Sequence, residues 1–227
     1  MIDHAVLPEG AEIDDQGLWV QVLRRSEGPA RRSALFLDRD GVIVEEVDHL
    51  HRAEDVRLID GTAALIATAN RRGIPVVVVT NQSGIGQGLF DWDAFIAVQT
   101  RILADLAAEN AFVDGVFACP HHPKALPPYD HPDHPARKPN PGMLLGAAER
   151  LPLDLAGSWI IGDRTRDLAA GCHAGLAGGF LVSTGYGGQQ GEREAALSLA
   201  KDSRFRVLVG ASVAAALTAI PLFGGSR

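Results

Sequence analysis

The chain has 227 residues, 46% of them hydrophobic and 22% charged, which is enough apolar material for one α/β core with extensions and rules out general disorder. With 21 basic and 28 acidic residues the net charge is −7, and the basic residues come no denser than pairs such as Arg24-Arg25 and Arg31-Arg32; a nucleic-acid backbone as main partner would demand a basic stripe, so this balance argues against one. Two cysteines, Cys119 and Cys172, make no disulfide framework, the acidic N-terminus has no signal-peptide core, and a cytoplasmic, soluble protein is expected.

Along the chain, residues 1–33 form an N-terminal extension with one candidate strand, Leu18–Leu23, in which Trp19 is placed to pack the extension onto the sheet. From Ala34 onward, short apolar runs alternate with helix-like segments. Strands are predicted at Ala34–Asp38, Val76–Thr80, Val113–Ala118, Trp159–Asp163, Phe180–Ser183 and Phe205–Val209, and helices near 61–72, 92–109, 142–150, 166–174 and 212–220. In the second helix Phe95, Val98, Ile102 and Leu106 recur at spacings of three and four, behind a capping Asp91. The apolar runs are continuous, as in strands covered on both faces. Residues 119–141, which hold most of the prolines and half of the histidines, read as a loop. The apolar stretch Val207 to Phe223 is broken by Gly210, Ser212, Thr218 and Pro221 and falls short of the about 20 apolar residues of a membrane span. The expected architecture is a doubly wound, Rossmann-like parallel sheet with helices on both faces, formed by residues 34–227.

In such a sheet ligands bind at the carboxyl ends of the strands. Those ends carry Asp38-Arg39-Asp40-Gly41, Thr80-Asn81-Gln82-Ser83-Gly84 and Gly162-Asp163, with Asp167 four residues later; Arg137-Lys138-Pro139 precedes the 142–150 helix. Asp38, Asp40 and Asp163 would gather three carboxylates, a conflict that a hard divalent cation resolves. Thr80 and Ser83 offer hydroxyls to phosphate oxygens, and Arg137 and Lys138 supply local positive charge in an acidic protein. Together these are the parts of a phosphoryl-transfer site.

Their order, Asp38-x-Asp40-Gly41, Thr80, Lys138, then Gly162-Asp163-x-x-x-Asp167, resembles the four motifs of the haloacid dehalogenase (HAD) superfamily, from about Ala34 to Ser183. The resemblance implies a Mg²⁺-dependent phosphatase working through an aspartyl phosphate. Asp38 would be nucleophile and Mg²⁺ ligand. Asp40 would be general acid and base, binding the metal through its backbone carbonyl. Thr80 and Lys138 would hold the phosphoryl group, Asp163 would complete the metal site, and Asp167 would support it. Arg39, Asn81, Gln82, Ser83 and Arg137 are expected on the substrate. The spacings leave no room for a cap domain, and DRDGV, TNQSGIGQG, CPHHP and RKPNPGML resemble the D-glycero-D-manno-heptose 1,7-bisphosphate phosphatases and their histidinol-phosphate phosphatase relatives. A heptose bisphosphate or related sugar phosphate is thus the expected substrate. Histidinol phosphate or another phosphomonoester is the alternative, as is a non-catalytic binding module, which would be expected to lose Asp38 or Asp40.

In those families the loop before Arg-Lys-Pro carries structural zinc on Cys-x-His and a later Cys-x-Cys. Cys119 and His121 match the first half, whereas His134 and Ala136 stand in the second. Zn²⁺ on Cys119, His121 and His134, with His131 or Asp133 as fourth ligand, is one outcome. A lost site, with the prolines stiffening the loop, is the other.

Overall fold

The continuous apolar runs become the interior of one eight-stranded sheet in the computed structural model, which describes residues 7–24, 30–201 and 204–224. The start of the extension and Arg25 lie outside the described residues. The strands are β1 (Ala11–Ile13), β2 (Trp19–Val22), β3 (Leu35–Leu37), β4 (Val76–Asn81), β5 (Gly115–Cys119), β6 (Trp159–Gly162), β7 (Gly178–Val182) and β8 (Arg206–Gly210), in spatial order β1-β2-β5-β4-β3-β6-β7-β8. From β5 through β8 all neighbours are parallel. β1 and β2 extend the β5 edge antiparallel, so the sheet is mixed at one side where a wholly parallel one was expected.

Alternate strand residues feed two cores. Leu35, Leu37 and Val78 pack beneath α1 (Thr62–Arg71) and, beyond the short α2 (Ser83–Gly86), α3 (Trp92–Ala108). Phe36, Val77 and Ile160 pack against α4 (Gly142–Arg150), α5 (Thr165–His173) and α6 (Glu192–Ser198). The face predicted for α3 is the buried one, and the Asp91 carboxylate accepts from Ala94 N at 2.9 Å as its cap. The predicted 212–220 helix is a 3₁₀ turn, Val213–Ala215, running into a four-residue α7 (Ala216–Ala219), and a second 3₁₀ turn follows at Pro221–Phe223. No helix among the described residues is long and apolar enough to cross a membrane.

The extension contributes to the sheet itself. Trp19 of β2 lies 5.8 Å from the Trp92 ring and 5.3 Å from Phe95, so its packing clamps the added strands to α3. In the register, Leu37 stands beside Val78 on one side and Ile161 on the other. Successive crossovers leave β3 in opposite directions, and the ends of β3, β4 and β6 converge at that switch point.

Candidate active site

Asp38 directly follows β3 and is 5% exposed. Its Oδ1 accepts from Arg39 N at 2.8 Å and pairs with Lys138 Nζ at 2.8 Å. Lys138 comes from the loop before α4 and is fixed by Asn81 at the end of β4: Asn81 Nδ2 donates to its carbonyl at 3.0 Å and Oδ1 accepts its N–H at 3.1 Å. The Lys138 ammonium, 1% exposed, also donates to Val79 O at 2.9 Å and pairs with Asp167 Oδ1 at 2.8 Å. Asp167 lies in the first turn of α5, where its Oδ2 accepts from Arg164 N at 3.0 Å. Asp163 follows β6, and its Oδ2 accepts from Tyr186 N at 2.8 Å. Gly41 (φ 81°) and Gly185 (φ 54°) flank that carboxylate, and a Cβ on either would strike it; left-handed backbone and close approach together require glycine there.

The electrostatics follow from burial. Asp38 is pushed up to about 6, first by burial and then by Asp167, against the pull of Lys138. Asp163 is pushed up to about 8 by burial, Asp38 and Asp167. Asp38, Asp163 and Asp167 each offer an oxygen within 4.8 Å of the others, the only such group of potential metal ligands among the described residues. One buried ammonium faces three carboxylates. The donor set is hard, anionic and short of positive charge, which fits a divalent cation such as Mg²⁺.

Asp40 stands at the cleft with its carboxylate gripped from behind. Arg39 Nε reaches both oxygens at 3.1 Å, Arg39 Nη2 reaches Oδ1 at 2.9 Å, and Gln82 Nε2 donates to Oδ2 at 3.0 Å and to Thr80 Oγ1 at 2.8 Å. Arg39 is buried over the Phe95 ring. Asp38, Asp40, Thr80, Asn81, Gln82, Ser83 and Asp163 thus share one cleft, with Lys138 and Asp167 buried against Asp38. Arg39 and Asn81 also line the cleft, where Arg39 Nε and Nη2 bind Asp40 and the Asn81 amide binds the backbone of Lys138. Arg137 stands outside the cleft, donating to His121 O at 2.9 Å. The cleft adds residues that the sequence motifs do not single out, chiefly Glu46, Arg164, Arg166 and Tyr186. The two arginines occupy x positions of Gly162-Asp163-x-x-x-Asp167, where the motif is silent. Burial pushes Glu46 up to about 7, with Asp40 and Asp38 adding and both arginines opposing.

The zinc set is not assembled. His121 and His134 stack face to face at 3.7 Å with planes 7° apart, so their nitrogens point outward in parallel planes and not to one ion. His121 Nε2 donates to Gln16 O at 2.8 Å, and His134 Nδ1 accepts from Ala136 N at 3.1 Å. Asp133 Oδ1 accepts from Asn140 Nδ2 at 2.6 Å. Among the described residues Cys119, His121 and His134 do not bring ligand atoms together as the three aspartates do.

Residues 135–203 match the HAD-hydrolase-like family model. The chain is 49% identical over 170 residues to the D-glycero-beta-D-manno-heptose-1,7-bisphosphate 7-phosphatase of Mesorhizobium japonicum, covering 75% of this chain and 78% of that protein. It belongs to the HAD phosphatases, in the branch of the heptose bisphosphate phosphatases. A D-glycero-alpha-D-manno-heptose-1,7-bisphosphate 7-phosphatase of Burkholderia mallei is 38% identical over 67% of this chain and 80% of its own. Among solved structures, the D,D-heptose 1,7-bisphosphate phosphatase of B. bronchiseptica, complexed with magnesium and phosphate, superposes with a TM-score of 0.68 at 33% identity, over 83% of this chain and 97% of that one. The HAD fold and a phosphatase chemistry follow from this kinship.

Proposed function

We propose that the protein is a Mg²⁺-dependent phosphatase that removes the 7-phosphate of D-glycero-D-manno-heptose 1,7-bisphosphate in the cytoplasm. The observation that carries the chemistry is the buried Asp38–Lys138–Asp167 array beside Asp163, at the switch point of the sheet; the substrate is suggested by the relatives' activity. Cys119 and Cys172 are not joined in a disulfide, which fits a reducing compartment.

The Asp38 carboxylate attacks phosphorus in line, a P–O bond to Asp38 forms, and the bond to the sugar oxygen breaks. Asp40, held in place by Arg39 and Gln82, gives a proton to that leaving oxygen. It then takes a proton from the water that attacks the aspartyl phosphate, so inorganic phosphate leaves and Asp38 is regenerated. Thr80 and Ser83 offer hydroxyl groups to the phosphoryl oxygens, and Lys138 stabilises the charge that develops on them. Asp38, Asp163 and the backbone carbonyl of Asp40 would hold Mg²⁺, which would supply charge neutralisation between carboxylate and phosphate.

Phosphate release is to be measured with Mg²⁺ and with EDTA on both anomers of the heptose bisphosphate, histidinol phosphate, p-nitrophenyl phosphate and nucleotides. EDTA-sensitive release from one heptose anomer, far above the rest, is the expected result. A preference for histidinol phosphate or a nucleotide overturns the substrate, and loss of metal dependence overturns the mechanism.

A further inference from the structure

One oxygen of the Asp163 carboxylate is committed to the main chain: Oδ2 accepts from Tyr186 N at 2.8 Å. Whatever holds Tyr186 therefore also sets the direction of Oδ1. Tyr186 lies in the glycine-rich segment 183–191, which leaves β7 and leads into α6. Ordering such a segment is costly in chain entropy, and of residues 183–191 only Gly187 is buried. Apolar packing does not hold this segment, so its order must come from polar contacts.

Those contacts sit at its two ends. Thr184 Oγ1 donates to Gly41 O at 2.7 Å, in the turn directly after Asp40. At the far end Glu192 Oε2 accepts from Thr165 N and from Thr165 Oγ1, each at 2.7 Å, and Glu192 O accepts from the same hydroxyl at 3.1 Å. Thr165 N is one of the donors that the start of α5 leaves without a partner inside the helix. The N-cap residue there is Arg164, whose side chain offers no acceptor, so the Glu192 carboxylate takes over that role from the neighbouring helix. Between the two pins, turns link Gly187 N to Thr184 O at 3.0 Å, Gln189 N to Tyr186 O at 2.9 Å and Glu192 N to Gln189 O at 3.3 Å. The Tyr186 ring adds a stack on Arg164, with Cζ 3.4 Å from its centroid. The segment thus ties together the turn after Asp40, the Asp163 carboxylate and the first turn of α5, which carries Asp167. Neither Thr184 nor Glu192 lines the cleft of the reacting groups.

We propose that Thr184 and Glu192 are positioning residues for the cation: they pin the segment so that Tyr186 N holds Asp163 Oδ2 and Oδ1 is presented to Mg²⁺. This rests on the Mg²⁺-dependent phosphatase reading and deepens it by assigning metal affinity to two side chains that touch neither metal nor substrate.

The test is Mg²⁺ affinity by isothermal titration calorimetry of the full-length protein without substrate, for wild type, Thr184→Val, Thr184→Ser, Glu192→Ala and Glu192→Gln. Melting temperatures and steady-state kinetics on p-nitrophenyl phosphate accompany it. Thr184→Val and Glu192→Ala are each expected to weaken Mg²⁺ on the order of 10-fold, as loss of a partner that orients a metal ligand does. Saturating Mg²⁺ should bring kcat back towards wild type, with KM for the ester little changed. Thr184→Ser keeps the donor to Gly41 O and Glu192→Gln keeps an acceptor for Thr165 N, so both should bind Mg²⁺ as wild type does. A lower melting temperature with unchanged Mg²⁺ affinity would make the pins merely structural and overturn the proposal. So would Ser and Gln variants as weak as Val and Ala. Should Glu192→Ala fail to fold, Thr184→Val, which keeps the volume, decides. A wild type that binds no Mg²⁺ overturns the proposal together with the phosphatase reading. Mg²⁺ binding by a wild type that releases no phosphate sinks that reading alone, and the affinities still decide on the pins.

Discussion

Replacing Lys138 by methionine removes one charge and keeps the volume, and its effect on stability tests the electrostatic account of the site. The ammonium is 1% exposed and pairs with Asp38 and Asp167, both at 2.8 Å. Removing one partner of a buried pair costs about 3–5 kcal/mol, because the remaining charge is left uncompensated. Here the carboxylates can escape by taking up protons. Asp38 and Asp163 already have raised values, about 6 and about 8, and losing Lys138 raises both further. A carboxyl group raised in the folded state contributes stability below its unfolded value of about 3.9 and loses it as pH rises through the folded value. The penalty should therefore be larger at about pH 8 than at about pH 6, and millimolar Mg²⁺ should recover part of it by supplying the missing charge. Urea unfolding of wild type and variant at both pH values, with Mg²⁺ and with EDTA, measures this. A loss under about 1 kcal/mol at either pH, or a loss indifferent to pH and metal, would refute the picture of one cation balancing three carboxylates.

Other predictions test single parts of the site. Asp38→Asn should abolish turnover while circular dichroism and melting stay close to wild type, since Lys138 keeps Asp167. Arg39→Lys breaks the fork on Asp40 and should lower kcat by about 10²-fold with little change in KM, as misplacement of a catalytic group does; steady-state kinetics decide. Gly185→Ala meets φ 54° and the Asp163 carboxylate, so it should cost about 1–3 kcal/mol and weaken Mg²⁺ in a calorimetric titration. Because protons compete for Asp163, which titrates at about 8, Mg²⁺ should raise the wild-type Tm more at about pH 8 than at about pH 6. Its binding near neutral pH should release protons, read as a dependence of the calorimetric heat on buffer ionisation.

Where residue chemistry and periodicity coincide, the fold is legible in the sequence. The α3 stripe and the Asp91 cap can be read directly, as can the strands that end in Asp38, Thr80 and Asp163. Elements without a buried stripe cannot: β1 is the three residues Ala11–Ile13, and α6 buries only Ala196. β7 begins at Gly178-Gly179, residues that read as breakers but that lie against Trp159 and Leu168. In the site, residue identity is legible and side-chain direction is not. Arg39 and Asn81 have the chemistry of substrate ligands, and only the fold shows that they also hold Asp40 and the Lys138 backbone. Arg164 and Arg166 occupy motif positions that any residue can fill, so only the folded helix start shows them facing the cleft.

The N-terminal strands and the proline-rich loop explain each other. The loop from Cys119 to Pro141 is anchored by the turn between β1 and β2. Asp14 Oδ1 accepts from Gln16 N and Leu18 N, each at 2.9 Å, and so shapes that turn. Gln16 O then accepts from His121 Nε2 at 2.8 Å, orienting the ring on which His134 stacks. The Tyr129 ring lies against Gly17, and its hydroxyl accepts from Trp92 Nε1 at 3.2 Å. Arg137 closes the loop on His121 O. The next residue is Lys138, whose ammonium must meet Asp38 and Asp167 together. An antiparallel hairpin at the edge of the sheet is thereby linked, through the loop it anchors, to the lysine that pairs with Asp38 and Asp167.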